Sequence, residues 1–198
     1  MLLPPKLKAP FVAALELAVK EFYGADARRS PDYGRIINER HFLRLSALKG
    51  DGKIAFGGDT DAGERYFAPT VLTDTPVDSP VMQEEIFGLI LPLIEVASVD
   101  EAIRFVRARP KPLALYAFSR DAAVNEKTLH QTSSGGAVVN DTVIPFAVAS
   151  LPFGGVGDSG MGGYHGKPSF DAFSHKKSVV KRPFALDVKM GLLLRFMS

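Results

Sequence analysis

The strongest constraint on the fold is the regular alternation of apolar runs and amphipathic stretches in the middle of the chain. Residues 89–96 (LILPLIEV) form a nearly continuous apolar run, which is typical of a strand buried on both faces. Two further strands are predicted at residues 113–118 and 136–140, and a helical segment separates each strand from the next. This order predicts an α/β domain with a mainly parallel sheet and flanking helices.

The helices are predicted from capping residues and apolar periodicity. Ser98 and Glu101 form a capping box, in which the serine side chain accepts from the Glu101 amide and the glutamate is expected to accept from the Ser98 amide. The other predicted helices span residues 11–23 after Pro10, residues 38–48 with Phe42, Leu45 and Leu48 facing the core, and residues 121–131.

Shorter features complete the predicted order of elements. Short strands are expected at residues 53–56 and 70–73, with a polar loop at residues 59–65. After residue 151 the chain becomes rich in glycine. A helical turn at residues 169–173 and a final strand at residues 178–181 are predicted beyond it.

The composition excludes several kinds of site. The chain has no cysteine, so it contains no disulfide, no thiolate metal site and no cysteine nucleophile. Its 4 histidines show no metal-ligand spacing, and a net charge of +2 without like-charge blocks gives no indication of nucleic-acid binding. We expect no secretory signal, no transmembrane segment and a cytoplasmic location, with membrane-associated or organellar locations left open.

Residues 155–160 (GVGDSG) contain two patterns that are associated with chemistry. They match G-x-G-x-x-G, which binds dinucleotides only where it follows a strand and opens a helix, and neither element is predicted here. The GDSG run resembles the nucleophile loop of trypsin-like serine proteases, which need an all-β frame. A loop that turns tightly and passes close to other atoms describes residues 154–166 better than either interpretation.

Two carboxylates, Glu84 and Glu85, precede the predicted buried strand at residues 89–96. Carboxylates at the mouth of a parallel strand can accept from ribose hydroxyls or act as a base. An exposed acidic loop without a ligand is the alternative, and the residues alone favour that alternative.

Several longer motifs occur together and in a fixed order. They are YGRIIN at residues 33–38 with HF at 41–42, PVMQEEIFG at 80–88, KPLALYAFS at 111–119, TSSGG at 132–136, VND at 139–141, LPFGGVGDSGMG at 151–162, YHGK at 164–167 and SFDAFSHK at 169–176. As a set, over about residues 5–182, they resemble the aldehyde dehydrogenase superfamily, and within it the class 3 branch.

The resemblance implies a reaction and a set of roles. The family oxidises aldehydes to carboxylic acids with NAD or NADP, through attack of a cysteine thiolate on the carbonyl and hydride transfer to the nicotinamide. By match to the family motifs, Glu85 is expected to hydrogen-bond the nicotinamide ribose, and Phe87 to pack near the nicotinamide. The positions expected in the substrate pocket or on the active-site floor are Asn140, Phe153, Gly154 and Gly155.

The resemblance also implies an architecture. Residues 1–172 match the C-terminal part of the catalytic domain, residues 173–182 match an oligomerisation strand that implies a homodimer, and residues 183–198 form a tail. The nucleophilic cysteine, the general-base glutamate and the nucleotide-binding domain of the family are expected upstream of Met1. No catalytic residue is therefore assigned within the chain, and firm binding of NAD or NADP by the chain alone is not expected.

The chain departs from the family pattern at two positions. Leu89 stands where the family usually has a proline, and Pro145 stands where it usually has a histidine. Three interpretations stay open: a truncated fragment that is inactive alone, a non-catalytic pseudoenzyme or decoy subunit that pairs with a full-length paralogue, and a working enzyme whose missing half comes from another polypeptide.

Overall fold

A computed structural model describes residues 1–181, except for the side chains of Pro145 and Phe146. The predicted tail at residues 183–198, the last residue of the predicted oligomerisation strand and the side chain at the Pro145 departure lie outside the described residues. The helices are α1 (Pro5–Tyr23), α2 (Glu39–Leu48), α3 (Val99–Arg107), α4 (Ala122–Gln131), α5 (Ile144–Ala147) and α6 (Gly166–Ala172). The strands are β1 (Leu2–Leu3), β2 (Lys53–Phe56), β3 (Thr60–Asp61), β4 (Tyr66–Phe67), β5 (Thr70–Thr73), β6 (Ile90–Pro92), β7 (Ile94–Glu95), β8 (Ala114–Ala117) and β9 (Gly136–Val139).

The chain divides into two compact units. The first unit comprises Met1–Pro110 and Ser119–Ser133, and the second comprises Lys111–Phe118 and the chain from Ser134 onward. Parallel pairing is present in each, between β5 and β6 in the first and between β8 and β9 in the second. The predicted α/β class with parallel strands and flanking helices is therefore confirmed.

The core of the first unit forms around the three-stranded sheet β2-β5-β6. β5 lies in the centre, antiparallel to β2 and parallel to β6, and all four of its residues are buried. Helix α2 packs against this sheet, and its predicted inward side chains are confirmed as core. The main hydrophobic cluster consists of Phe42, Leu45, Leu48, Phe67, Leu72, Val81 and Ile90.

The single strand predicted at residues 89–96 is wrong in extent, because the run forms two short strands with different neighbours. β6 pairs with β5, whereas β7 pairs in parallel with β1. Pro92 is the last residue of β6, and the Leu93 amide still donates to the carbonyl of Leu72 in β5 at 2.8 Å. The Ile94 amide donates instead to the carbonyl of Met1 at 2.8 Å, so the chain changes partner after Leu93.

Helix α1 begins earlier than predicted, at Pro5 rather than Phe11. Pro5 occupies the first turn, where its missing N–H costs no helical hydrogen bond. Pro10, which was expected to precede the helix, lies inside it. The helix tolerates that lost bond because its next turns pack partly buried apolar side chains, among them Phe11 and Leu15, against a core cluster around β1 and β5.

The predicted capping box of α3 is present with one difference, and α2 has an N-cap at Asn38 that was not predicted. The Asn38 side chain accepts from the His41 amide at 2.9 Å at the start of α2, and Ser98 Oγ accepts from the Glu101 amide at 3.2 Å at the start of α3. The Glu101 carboxylate, however, accepts from the amide of Ala97 at 2.6 Å, one residue before the predicted Ser98 amide. Neither amide takes part in the backbone hydrogen bonds of the helix, so the Glu101 carboxylate still satisfies an N–H group that would otherwise have no partner in the helix.

The second unit is built on the parallel pair β8 and β9, in register from Ala114 with Gly136 to Ala117 with Val139. Both strands lie where they were predicted. Helix α6 begins at Gly166, three residues before the predicted turn. Within residues 174–181, where a final strand was predicted, the structure assigns no strand, because a strand needs a hydrogen-bonded neighbour and none of the described strands pairs there. The polar loop predicted at residues 59–65, in the first unit, contains strand β3 and the turn of the short hairpin β3-β4, and β4 follows directly after it.

Candidate functional site

The loop between the helical turn Pro80–Met82 and β6 presents several side chains to solvent, Glu85 and Phe87 among them. Glu85 and Phe87 are exposed, and Phe87 retains 76% of its accessible surface. Between them, Ile86 packs against the core cluster of the first unit. Gly88 lies so close to Leu45 that a Cβ at this position would come within 2.3 Å of Leu45 Cδ2. The loop is therefore seated on the core at residues 86 and 88 while it displays Glu85 and Phe87.

Arg44 of α2 contacts this loop on both sides of Glu85. Its Nη1 donates to Glu84 Oε1 at 3.1 Å, and its Nη2 donates to the carbonyl oxygen of Ile86. The Arg44 side chain retains only 26% of its accessible surface, whereas that of Glu84 retains 60%. The contact to Ile86 is the more sheltered of the two.

Phe87 adopts a backbone conformation that aromatic residues seldom use. Its φ is 44°, in the left-handed region. For a bulky side chain this region is strained, and such strain concentrates in segments that serve binding or catalysis. An exposed aromatic ring on a strained and tethered loop is a candidate platform for a flat ligand.

Asn140 follows β9 directly, at the carboxyl end of the parallel pair in the second unit. Its φ is 59°, a conformation that asparagine tolerates better than most residues, and its amide donates to the carbonyl of Ala117 at 2.8 Å. Val143, three residues later, has a φ of 62°, which is a genuine outlier for a β-branched residue. The carboxyl ends of parallel strands are where open α/β sheets bind ligands, so this turn is a second candidate binding segment.

Phe153 closes the glycine-rich loop of the second unit. Its amide and carbonyl exchange hydrogen bonds of 3.0 Å with those of Tyr164, and the two rings meet edge to face with centroids 5.7 Å apart. This bridge brings the ends of the loop together and fixes the Phe153 ring.

Gly154 and Gly155 are glycines because other backbone atoms occupy the space of a side chain. A Cβ on Gly154 would lie 2.2 Å from the Gly162 carbonyl oxygen, and one on Gly155 would lie 2.1 Å from the Ser159 carbonyl oxygen. Gly135, before β9, would collide in the same way with the Gly154 carbonyl oxygen at 2.2 Å. The loop thus packs tightly on itself and against the start of β9, as the sequence predicted for residues 154–166.

Neither chemical pattern at residues 155–160 has its required setting. Dinucleotide binding needs a strand before the motif and a helix that begins within it. Residues 155–160 are preceded only by an isolated bridge at Phe153 and contain the short turn Gly157–Ser159 in place of a helix start, so this segment lacks the dinucleotide-binding arrangement. The Ser159 hydroxyl accepts from the Val156 amide at 2.9 Å and donates to the Val156 carbonyl at 3.0 Å, so it stabilises its own turn.

An apolar cavity of about 230 Å³ lies between the parallel pair and the glycine-rich loop of the second unit. Of the residues predicted for a substrate pocket or active-site floor, Phe153 and Gly154 line this cavity, and Asn140 and Gly155 do not belong to its lining. Other lining residues are Leu113, Tyr116, Val138 and Val143. Sequence reasoning did not select Tyr116 or Val143 for a site, and the period-2 alternation of β8 is the signal that could have indicated Tyr116.

The six predicted site residues thus fall into two groups. Glu85 and Phe87 share one loop of the first unit, while Asn140, Phe153, Gly154 and Gly155 belong to the second. Arg44 was missed, because nothing in the sequence of α2 indicates a contact 42 residues away. Within residues 1–181, no group of acidic and histidine side chains has the arrangement of a metal site, and no helix is long and apolar enough to cross a bilayer.

Comparison with known proteins gives a consistent result. The profile of the aldehyde dehydrogenase family matches residues 1–179. The "dimeric NADP-preferring" aldehyde dehydrogenase of Bos taurus is 54% identical over 183 residues, covering 92% of this chain and 77% of that protein. The human aldehyde dehydrogenase family 3 member B1 is 53% identical over 182 residues, covering 92% of this chain and 39% of that protein.

Solved structures of aldehyde dehydrogenases share the fold. The substrate-bound structure of Staphylococcus aureus AldH matches 100% of this chain and 45% of that chain, with a TM-score of 0.85 and 43% sequence identity. Betaine aldehyde dehydrogenase from Staphylococcus aureus in complex with NAD+ matches 87% of this chain and 36% of that chain, with a TM-score of 0.74 and 25% identity. The chain spans 41% of the length of the dog relative and 39% of the rat relative. By this sequence match and this shared fold, the chain belongs to the aldehyde dehydrogenase family.

Proposed function

We propose that this chain supplies the cofactor-facing loop and part of the pocket wall of an NAD(P)-dependent aldehyde dehydrogenase, which oxidises aldehydes to carboxylic acids. The observation that carries the proposal is the exposed loop around Glu85 and Phe87, held against α2 in a chain of this family. Related proteins support a nicotinamide cofactor, since the bovine relative is named NADP-preferring and a Staphylococcus aureus relative is described in complex with NAD+.

Each predicted site residue has a chemical task in this proposal. The Glu85 carboxylate accepts hydrogen bonds from both hydroxyls of the nicotinamide ribose, which a carboxylate can do because it has two acceptor oxygens. The Phe87 ring packs against the nicotinamide. Phe153 and Gly154 form the wall of the substrate pocket, and Asn140 and Gly155 support its floor.

The chain by itself lacks the group that starts the reaction. A nucleophile must add to the aldehyde carbonyl before a hydride can leave from the same carbon to the nicotinamide. In this family that nucleophile is a cysteine thiolate, and none of the 198 residues is a cysteine. We therefore propose that the chain alone does not oxidise aldehydes and that a thiol must be contributed by polypeptide beyond these residues.

The domain assignment follows as part of the same proposal. Residues 1–172 are the catalytic-domain portion, and residues 173–182 pair as an oligomerisation strand with a second subunit. Two observations support pairing with a second subunit, either in a homodimer or, as an alternative function, as a non-catalytic subunit of a full-length aldehyde dehydrogenase. Val179 and Val180 retain 65% and 92% of their accessible surface, and the bovine relative is named dimeric.

Steady-state assays test the catalytic proposal. The purified chain is incubated with NAD+ or NADP+ and an aldehyde, with and without a polypeptide that carries the upstream, cysteine-containing part of a family member. We expect NADH or NADPH only in the complemented sample. Glu85→Gln should then raise the cofactor KM by about tenfold, since it removes charge-assisted hydrogen bonds. Asp78→Asn, a matched change at an exposed neighbouring position, should leave the KM unchanged.

Two outcomes would contradict the proposal or select the alternative. Aldehyde-dependent NADH production by the chain without any helper would refute the need for an external thiol. Stable co-purification with a full-length family member, without any gain of turnover in the mixture, would instead support the non-catalytic subunit.

A further inference from the structure

We propose that Arg44 is a positioning residue that fixes the outward presentation of Glu85 and Phe87. The inference rests on the proposed function in one respect, namely that these two side chains meet the nicotinamide half of the cofactor. The tethering itself follows from contacts within the first unit and can be tested without a cofactor.

The helix that carries Arg44 is a fixed support. Asn38 caps the N-terminus of α2, and Phe42, Leu45 and Leu48 bury one face of the helix in the main core. Arg44 is adjacent to Leu45, the most buried of these residues at 0% exposure. Because this packing fixes the backbone of Arg44, hydrogen bonds from its guanidinium group can hold the loop in a fixed position relative to the core.

The loop is held at both of its ends by other groups. Upstream, the Asp51 carboxylate accepts from the Val81 amide at 2.7 Å. Downstream, the Leu89 carbonyl accepts from the Thr70 amide at 2.8 Å, which begins the pairing of β5 with β6. Arg44 acts between these two points, on the residues that flank Glu85.

The shape of the guanidinium group suits this double contact. One terminal nitrogen donates to the Glu84 carboxylate and the other donates to the Ile86 carbonyl, so a single planar group spans the peptide segment that bears Glu85. The Ile86 carbonyl belongs to the peptide bond that leads into Phe87, which has a left-handed backbone conformation, so the same contact also restrains Phe87. A lysine has the same charge but only one donor nitrogen in place of the two terminal nitrogens of the guanidinium group, so it is expected to keep only one of the two contacts.

A fluorescent probe on the loop can measure this tethering. The chain contains no tryptophan, so Phe87→Trp introduces a single indole at the exposed position. Time-resolved anisotropy of that indole separates slow tumbling of the protein from fast motion of the loop. Arg44→Met removes the donors and keeps the apolar stem, and Arg44→Lys keeps the charge. Arg40→Ala, an exposed position one turn earlier on α2, is the matched control.

We expect Arg44→Met to increase the amplitude of fast indole motion at least twofold, Arg44→Lys to restore part of the order, and Arg40→Ala to have no effect. The melting temperature, measured on the same samples, identifies any variant that fails to fold. In that event the folded Arg44→Lys variant still decides the question. Equal anisotropy decays for Arg44→Met, Arg44→Lys and Arg40→Ala would overturn the inference.

A titration with NADH separates this inference from the proposed function. Energy transfer to NADH from the indole that Phe87→Trp introduces is followed in the full chain, alone and with the complementary polypeptide. With Arg44 present we expect saturable transfer in the complemented sample, and we expect the NADH dissociation constant to rise by about tenfold in Arg44→Met, the scale of a lost charge-assisted hydrogen bond. If NADH does not bind while Arg44→Met still frees the indole, the proposed cofactor role fails and the tethering stands. If NADH binds equally to both, Arg44 does not position the loop for the cofactor.

Discussion

Replacing Gly88 with alanine should destabilise the first unit, although the change adds only one methyl group. The added Cβ would lie 2.3 Å from Leu45 Cδ2 and 2.6 Å from Leu45 Cδ1, well inside the ordinary carbon contact of about 3.5–4.0 Å. Leu45 is completely buried within the main core cluster, so any withdrawal of its side chain must displace other core residues. Overpacking of this kind costs about 1–3 kcal/mol. In a chain of this size that loss lowers the melting temperature by roughly 2–12 °C.

Urea denaturation measures the cost, and a double-mutant cycle identifies its source. Leu45→Ala alone should lose about 2–5 kcal/mol of unfolding free energy through the cavity that it leaves. In the double variant, the alanine at position 88 occupies part of that cavity. The two losses should therefore be less than additive, with a coupling of about 0.5–3 kcal/mol.

Gly50→Ala is the matched control, because a Cβ on Gly50 meets nothing within 4 Å and its φ is not positive. We expect this variant to be neutral or slightly stabilised. Equal stability of Gly88→Ala and Gly50→Ala, or strict additivity of Gly88→Ala with Leu45→Ala, would refute the claim that the loop is seated on Leu45.

Two further predictions concern stability. Ser98→Ala should cost about 1 kcal/mol by removing the N-cap of α3, whereas Ser98→Gly should cost only a few tenths; urea denaturation compares the two, and equal losses would argue against the cap. Burial raises the pKa of Tyr33 above its ordinary value, so the folded state retains a proton that the unfolded state releases above about pH 10. The contribution of Tyr33 to the unfolding free energy should be constant below about pH 10 and should fall as the pH rises beyond it. Tyr33→Phe should weaken the alkaline fall of the unfolding free energy without abolishing it, because burial raises the pKa of Tyr66 as well; an identical alkaline slope in both proteins would show that Tyr33 does not contribute.

Local patterns were sufficient for much of the fold. The apolar face of α2 and the capping box of α3 depend on neighbours within one or two turns, so their spacing in the sequence already contains the information. The alternation of β8, α4 and β9 could likewise be predicted from residues close together in the chain. The glycines at positions 154 and 155 indicated a tight loop, and close backbone contacts within that loop confirm it.

Features that depend on distant partners could not be predicted in this way. The run at residues 89–96 reads as one strand, and its division between Pro92 and Ile94 becomes evident only with β1, which pairs with β7 from the start of the chain. The Arg44 contact to Ile86 joins residues 42 apart, and an arginine on an amphipathic helix carries no sign of such a contact. At the candidate site, the family motif selected Glu85 and Phe87, whereas the tether that displays them was visible only in three dimensions.

The chain passes between its two units three times, because Lys111–Phe118 belongs to the second unit and Ser119–Ser133 returns to the first. No single cut can therefore yield both units intact. A fragment ending at Pro110 would lose α4 and the Lys127 ammonium that pairs with Asp100 of α3 at 2.6 Å, and a fragment beginning at Ser134 would leave β9 without β8. Recombination between homologues faces the same restriction, so a crossover placed between residues 111 and 133 combines segments from two parents within one packed unit.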